Sequence, residues 1–548
     1  MRNKKNAFTL IELLAVIVIL AVILVISIPK ILNVIDETKE DAFKSSTEMI
    51  ISTAEKNYVI DKVKGEITNP TCENTVKLNK EDYSNCVISF DEEGNATVEL
   101  EGSGKFDGLT CSGTKNDVVC ESIEKIKVYE ETILNGAYPN LDKGMIPVTI
   151  ANDGKVTTVD EKSSNWYSYQ NKKWANVVLV KEIGTKTRDY YLKNDNVEVN
   201  QDDILAYFVW VPRYKYKLFN VEGTSGTTEN KIEIIFENKS TKKSNGTKNG
   251  EYLTAPGFTF GSKELNGLWV SKFDTTGTSD NPTILPNKVI LTNQNISDEF
   301  ITSLKFGGGS YNNGTYTYKG TNNYGLNMGS HMMKNSEWAT LQYLTNSIYG
   351  RCDSTSCEEV MRNNYFSGSS SNPVLKSGYG AVNVATIGWS SSSSSTNEFG
   401  SDDTITKPYN TTVGYKASTT GNISGIYDLS GGAGKWTMGL QKDSNNNLYI
   451  IDSGFNGLYH RGRNNITGGI EMPSSKYYDA YDFENDSMLG HGIFETKKWY
   501  GDYAYFLSYG SWFGRSGGAD DGSEGGLFYF STNGGYASSW YSFRVVLG

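Results

Sequence analysis

Only 3 histidines and 11 prolines occur among the 548 residues of this chain. His331, His460 and His491 are far apart in sequence, so a His-rich metal enzyme is not expected. Basic charge is also in deficit. Lys and Arg number 52 against 63 Asp and Glu, a net charge of -11. That balance lacks the broad cationic face that phosphate backbones require, so no nucleic-acid partner is expected. No HExxH helix, Walker-type glycine loop or C-x-x-C pair occurs. The chain does have 56 Gly, 35 Tyr and 10 Trp. This composition predicts short strands, many turns and aromatic surfaces. The length allows two to four domains at ~150 residues each.

The N-terminus departs from the polar character of the rest. Arg2, Lys4 and Lys5 precede an apolar run from Phe8 to Ile28. Such a run spans a hydrocarbon layer of ~30 Å as a helix. The basic flank stays cytoplasmic and the remainder of the chain faces outward. Glu12 interrupts the run, at a cost of roughly 2.5–3.5 kcal/mol unless it is paired. Cleavage between Ala7 and Phe8 would create a cationic amine on Phe8, and the amine of a neighbouring subunit could neutralise Glu12. A plain uncut anchor is the simpler reading of the same residues.

The short basic leader, the small residue and FTLIELL with Glu12 at the fifth mature position resemble the class III signal of type IV pilins and pseudopilins. Ala7 stands where that family usually has Gly, and Pro29 falls where it often has a helix-kinking proline. The resemblance implies a leader over 1–7, a prepilin peptidase and other pilin subunits as partners, and N-methylation of Phe8. It also implies an anchor in the cytoplasmic membrane with an extracellular head on a pilus or cell surface. The pilin helix is expected over 8–65, ending at Gly65. Its partial apolar stripe is read through Ile31, Val34, Ile35, Thr38, Ala42, Ser45, Met49, Thr53 and Lys56.

A small β-rich unit is expected over 66–127, with strand-like VISF, ATVEL and DVVCES. Cys72, Cys86, Cys111 and Cys120 fall here, and Cys352 and Cys357 lie downstream. Six cysteines in an exported chain read as disulfides, most simply 72–86, 111–120 and 352–357, although six allow fifteen pairings. Residues 128–205 form a spacer or β module, or the N-terminal edge of the next domain. Residues 206–548 form one large unit whose best helix signal is KNSEWATLQYLTNSIYG. In that segment Ser336 is a candidate cap, and Trp338, Leu341 and Leu344 lie on one side. The fold class is therefore α+β.

Within 206–548 the phrases NGLWVSKFD, MMKNSEWATLQYL, GIYDLSGGAGKWTMG, GSWFGRSGG and YSFRVVL are similar to the C-type-lectin-like fold of formylglycine-generating and sulfatase-modifying proteins. The oxidase members of that family depend on a C-terminal cysteine pair, and no cysteine follows Cys357 here, so the resemblance implies the fold without the activity. In that fold the last forty residues lie on the ligand-binding face. Their Tyr, Trp, Ser, Gly, Asp and Asn content suits a paratope-like surface. It also resembles the variable segments of retroelement-diversified lectin-fold proteins. Ligand-facing positions are expected at Trp512, Phe513, Arg515, Asp520, Asp521, Glu524, Tyr536, Trp540 and Tyr541, each of which could instead serve the core or a turn. Arg544 is expected to pair internally and Asp428 to cap backbone amides. No cofactor is expected beyond a possible structural calcium, for which Asp443 and Asn445 to Asn447 offer oxygens. The expectation is a surface-exposed minor or tip pilin-like subunit that binds an extracellular protein or glycan. The alternatives are a DNA-uptake or secretion pseudopilin and a sulfatase-modifying-type enzyme.

Overall fold

Alternate residues of Ala96–Gly102 are buried, from Ala96 through Val98 and Leu100 to Gly102, which marks a strand with one covered face. The computed structural model describes residues 38–65, 72, 82–122 and 135–548, apart from 40, 92, 107–108, 116, 224–230, 313, 319–322, 370, 382–405, 459–464, 483–487, 506–509 and 522–523. The chain divides into two units, Met1–Glu131 and Thr132–Gly548.

In the first unit, helix α1 (41–64) lies on an antiparallel meander of β1 (Tyr83–Phe90), β2 (Ala96–Gly102), β3 (Leu109–Thr114) and β4 (Asp117–Ser122). Phe43, Thr47, Ile50, Ile51 and Ala54 form the buried stripe of α1, at spacings of three and four. The expected stripe through Ala42, Ser45, Met49, Thr53 and Lys56 is thus displaced by about one residue, and Met49 is 60% exposed. One residue is a rotation of ~100° about a helix, which is enough to turn a weak apolar stripe outward. The sheet supplies the rings that choose the other face. Phe43 packs on Phe106 with centroids 5.1 Å apart, and Tyr58 stacks on Phe90 at 4.7 Å. The helix ends at 64, where Gly65 takes φ 75°. Disulfides join Cys72 to Cys86 and Cys111 to Cys120, the latter pair directly opposite each other on β3 and β4.

The second unit is built on a seven-stranded antiparallel sheet. Its strands are β5 (Ile146–Ile150), β6 (Val156–Thr158), β7 (Asn176–Val180), β8 (Ile204–Pro212), β9 (Gly267–Ser271), β10 (Ser330–Met332) and, at the chain's end, β17 (Val545–Leu547). They lie in the order β10-β17-β9-β8-β7-β5-β6. Residues 146–180 supply three neighbouring strands of this sheet. β7 is buried at all five residues and β9 likewise, so their runs are continuously apolar or small instead of alternating. A third disulfide joins Cys352 to Cys357.

A second sheet holds β11 (Gly434–Lys442), β12 (Asp479–Asp482), β13 (Ala504–Tyr505), β14 (Trp512–Ser516), β15 (Gly526–Asn533) and β16 (Tyr541–Phe543). Its order is β12-β11-β14-β15-β13, with β16 paired parallel to β11. The helix Asn335–Thr345 is buried at every residue. Its cap is Lys334, whose N–H donates to the Glu337 carboxylate at 2.8 Å; Ser336 lies inside the helix and its N–H donates to Asp479. The bond that the Glu337 carboxylate accepts from the cap N–H fixes the start of the helix without a side-chain cap.

Candidate functional site

Arg515 shows how the C-terminal segment is held. Its Nε donates to Asn335 Oδ1 at 2.7 Å, and its two other nitrogens donate to the carbonyls of Gly492 and His491 at 2.9 and 3.0 Å. The guanidinium is fully buried and lies over the Phe530 ring at 5.4 Å. Burial pulls its pKa down to about 10. Trp512 and Phe513 are equally buried, Trp512 stacked on Phe455 and Phe513 packed on Tyr481 at 4.7 Å. Composition points all three of these residues at a ligand, whereas the structure places them in the interior. A central strand such as β14 is covered on both faces, so adjacent side chains are buried alike.

The remaining candidates lie at or near the surface. Tyr541 stacks on Trp436 at 4.1 Å and 16°, and Trp436 meets Tyr536 edge-on at 6.2 Å. Tyr536 is 40% exposed. Trp540 is half-buried and stacked on Phe366 at 5.4 Å. Glu524 is exposed, and Asp520 and Asp521 are half-buried. The Asp521 carboxylate accepts from the Gly518 N–H at 2.6 Å. Burial, and then Asp521 beside it, raises Asp520 to about 6. Burial also raises Asp521, with Glu524 adding to the effect.

The structure brings three further tyrosines to this cluster. Tyr503 N–H donates to the Glu524 carbonyl at 2.8 Å, which sets β13 beside the loop of carboxylates. Tyr503 lies 6.0 Å from Tyr505 and 5.7 Å from Tyr529, centroid to centroid. The Tyr529 hydroxyl is 3.3 Å from Ser531 Oγ, and Tyr529 and Tyr541 act on one another. A ribbon results, running Tyr505–Tyr503–Tyr529–Tyr541–Trp436–Tyr536. Tyr503 and Tyr505 are 38% and 49% exposed. Neither stands out in the sequence, because both precede the Gly-rich segment, and only the parallel pairing of β13 with β15 draws them in.

Ala7, Phe8 and Glu12 lie outside the described residues, as do Ile31, Val34 and Ile35. Residues 2–28 match the prokaryotic N-terminal methylation motif. This is a type IV pilin-like N-terminus. The motif implies processing by a prepilin peptidase, membrane anchoring, assembly with other pilins, and a place as a surface or secretion subunit. No curated protein matches the chain. Among the described residues no helix is long and apolar enough to cross a membrane; the apolar run 8–28 is not among them.

Other charged residues have structural partners. In the basic text around PRYKYKLF, Arg213 is buried between Glu237 at 2.9 Å and Glu264 at 2.7 Å, and Lys217 pairs with Glu233 at 3.1 Å. Arg544 donates to the Ser271 carbonyl at 2.7 Å and lies 3.5 Å from Asp274. Asp428, at φ 58°, accepts from the N–H groups of Asp274 and Gly378 and from Asn363 Nδ2. Its carboxylate thus ties three loops together. Asp443 accepts from the N–H groups of Asn445 and Asn447 and from Asn447 Nδ2, so the oxygens it could offer calcium are engaged within its own turn. Among the described residues no group of three His, Cys, Asp or Glu side chains could hold a metal ion.

Proposed function

We propose that this protein is a minor or tip pilin-like subunit whose second unit binds an extracellular ligand through the tyrosine ribbon. The observation that carries the reading is the coupling, in one chain, of a pilin-type N-terminus with exposed tyrosines, Tyr503 and Tyr505 at one end of the ribbon and Tyr536 at the other, joined through the buried Tyr529 and Trp436. Tyrosines offer a large, rigid contact area at low entropy cost, which is the economy that paratopes use. Processing at Ala7–Phe8 and charge neutralisation of Glu12 would set the subunit in a filament, and several copies would add avidity. The second unit has the character of a C-type-lectin-like domain. Its closing strand β17 sits inside the main sheet beside β9, which supports that reading of the motif order. The absence of cysteine after Cys357 speaks against the oxidase of the sulfatase-modifying kind. The exposed loops of the last forty residues suit diversification by a retroelement, because the buried framework of β14, β15 and β17 does not depend on them.

The full-length protein displayed on cells, probed with glycan and protein arrays, tests the reading. Attachment that is lost in a Tyr503→Ala/Tyr505→Ala variant is expected. Attachment indifferent to that pair would overturn it. Strong DNA binding that weakens steeply with salt would favour the DNA-uptake alternative.

A further inference from the structure

A lysine and a carboxylate meet in the interior of the second unit, between its two sheets. Lys435 Nζ lies 3.0 Å from Asp274 Oδ2, and the two side chains are 1% and 0% exposed. Pairs such as Lys155–Glu198 and Lys217–Glu233 are, by contrast, about half open to water. Asp274 follows β9 of the main sheet, and Lys435 is the second residue of β11 in the other sheet. The lysine folds back on its own glycine-rich loop. Its Nζ donates to the carbonyls of Gly431, at 3.0 Å, and of Ala433, and lies 3.4 Å from Ser516 Oγ. Both oxygens of Asp274 lack an aligned hydrogen bond, although Lys435 and Arg544 stand beside them. Arg544 Nη2 is 3.5 Å from Asp274 Oδ1, and its guanidinium is held there by the carbonyls of Ser271 and Tyr427. A Cβ on Gly432 would lie 3.5 Å from Asp274 Oδ2 and 3.6 Å from Lys435 Nζ, so the glycine keeps a side chain away from both groups.

A buried ion pair is stable only where further hydrogen bonds satisfy its lone pairs, and the Asp274 carboxylate does not have them. The surroundings favour neutral forms instead. Burial raises Asp274 to about 7, with Lys435 opposing the shift and Asp428 adding to it. Burial lowers Lys435, with Asp274 opposing. Moving one proton from the ammonium to the carboxylate leaves an amine beside a carboxylic acid. The carbonyls of Gly431 and Ala433 take two N–H groups of that amine, which leaves its lone pair for Asp274. Reacting groups held in contact inside a closed site have a very high effective concentration.

We propose that Lys435 and Asp274 condense into an isopeptide bond as the second unit folds, a covalent modification that ties its two sheets together. The amine lone pair attacks Asp274 Cγ, and the oxyanion that forms on Oδ1 faces Arg544. The bond from Cγ to Oδ2 then breaks. The departing hydroxyl takes a proton from the nitrogen and leaves as water, and the amide remains. The step is a dehydration and needs no oxidant or reductant. It removes two buried charges and leaves Oδ1 beside Arg544. Thiol exchange, which opens disulfides, does not open an amide. The tie joins segments far apart in the chain, so it restricts the unfolded state more than a bridge across a short loop does. It goes beyond the binding role proposed above and does not depend on it.

Mass spectrometry of the full-length protein, reduced, denatured and digested with trypsin, tests the bond. Without it, trypsin releases 273–288 and 417–435 as linear peptides. With it, cleavage after Lys435 is blocked, and 273–288 is recovered joined to 417–442, lighter than the two together by one water. Fragmentation of that branched peptide places the junction at Asp274 and Lys435. Lys435→Arg keeps the cation but forms no amide, so linear 273–288 returns, and Asp274→Ala likewise abolishes the branch. Recovery of only the linear peptides from the wild type means an ion pair only and overturns the proposal. A branched peptide that persists in Asp274→Ala overturns it too. The decisive measurement is made on the wild type, so it stands even where a variant fails to fold.

Discussion

The ring of Tyr541 lies nearly parallel to that of Trp436, 4.1 Å away, and passes close above two glycines. A Cβ on Gly434 would stand 2.9 Å from Tyr541 Cε1, and one on Gly514 would stand 3.2 Å from the same atom. The centre of the ribbon therefore exists because two strand positions carry no side chain. It joins Tyr529 and Tyr503 on one side to Tyr536 on the other.

Gly434→Ala is expected to push Tyr541 off this floor. Overpacking of this kind costs about 1–3 kcal/mol, measurable by denaturant unfolding, and the ligand should bind more weakly than the loss of stability explains. A variant as stable as wild type, with unchanged binding, would show that Tyr541 does not need this seat.

Arg515→Met removes a buried cation from three acceptors on two other segments. The expected loss is about 3 kcal/mol, since Asn335 Oδ1 and the Gly492 carbonyl lose their donor while the His491 carbonyl keeps only its bond from Asn335 Nδ2. Circular dichroism melting of the purified protein reads it. A small effect on stability with a large one on binding would return Arg515 to the ligand face.

Stability of the second unit should fall as pH rises from about 4 to about 8. Burial, with Glu359 nearby, raises the buried Asp502 carboxyl to about 8, although Arg362 opposes the shift. An unfolded Asp releases its proton near pH ~3.9, so the folded chain holds one proton more across that window. The contribution is present below the unfolded value and is lost through the folded one. Asp502→Asn should flatten the slope in a melting series over that range, and an unchanged slope would remove Asp502 as its cause.

Loss of the Cys111–Cys120 bridge frees the β3–β4 hairpin. Cys111→Ser/Cys120→Ser should lower the stability of the first unit by roughly 2 kcal/mol and expose it to limited proteolysis, while the second unit melts as before. Equal protease resistance in the variant would contradict this.

Glu12→Ala should leave leader removal intact and abolish incorporation into filaments. The mature mass and the sheared pilus fraction report the two steps separately. Incorporation of the variant at the wild-type level would sink the charge-pairing account of Glu12.

Several features are legible in the residues. The three disulfides follow from nearness in sequence, because close cysteines meet with little loop-closure entropy. Arg544 and Asp428 are recognisable as internal groups from their setting between apolar strands and in a Gly-rich turn. The stop at Gly65 is visible as well. The face of α1 is not. Its polar and apolar residues are mixed closely enough that Phe43 and Met49 compete, and the rings of β1 and the turn at Phe106 decide between them.

The candidate site is half legible for a related reason. Composition flags the last forty residues as aromatic and polar, but it cannot tell a tyrosine over a glycine floor from a tryptophan inside a six-stranded sheet. Trp512 and Tyr541 read alike in the sequence; one is covered on both sides and the other on one.

The amino-acid sequence alone determined the pilin-type N-terminus, since a basic leader, a small residue and an acid at fixed spacing are a local signal that needs no fold. It also made the three near pairs of cysteines the simplest of fifteen pairings, which the structure then realises. Only the tertiary structure decided that residues 146–180 belong to the main sheet, that β13 brings Tyr503 and Tyr505 beside the C-terminal loops, and that Arg515 is closed to solvent. Those outcomes depend on contacts between segments far apart in the chain, and burial is a property of what lies on both sides of a residue.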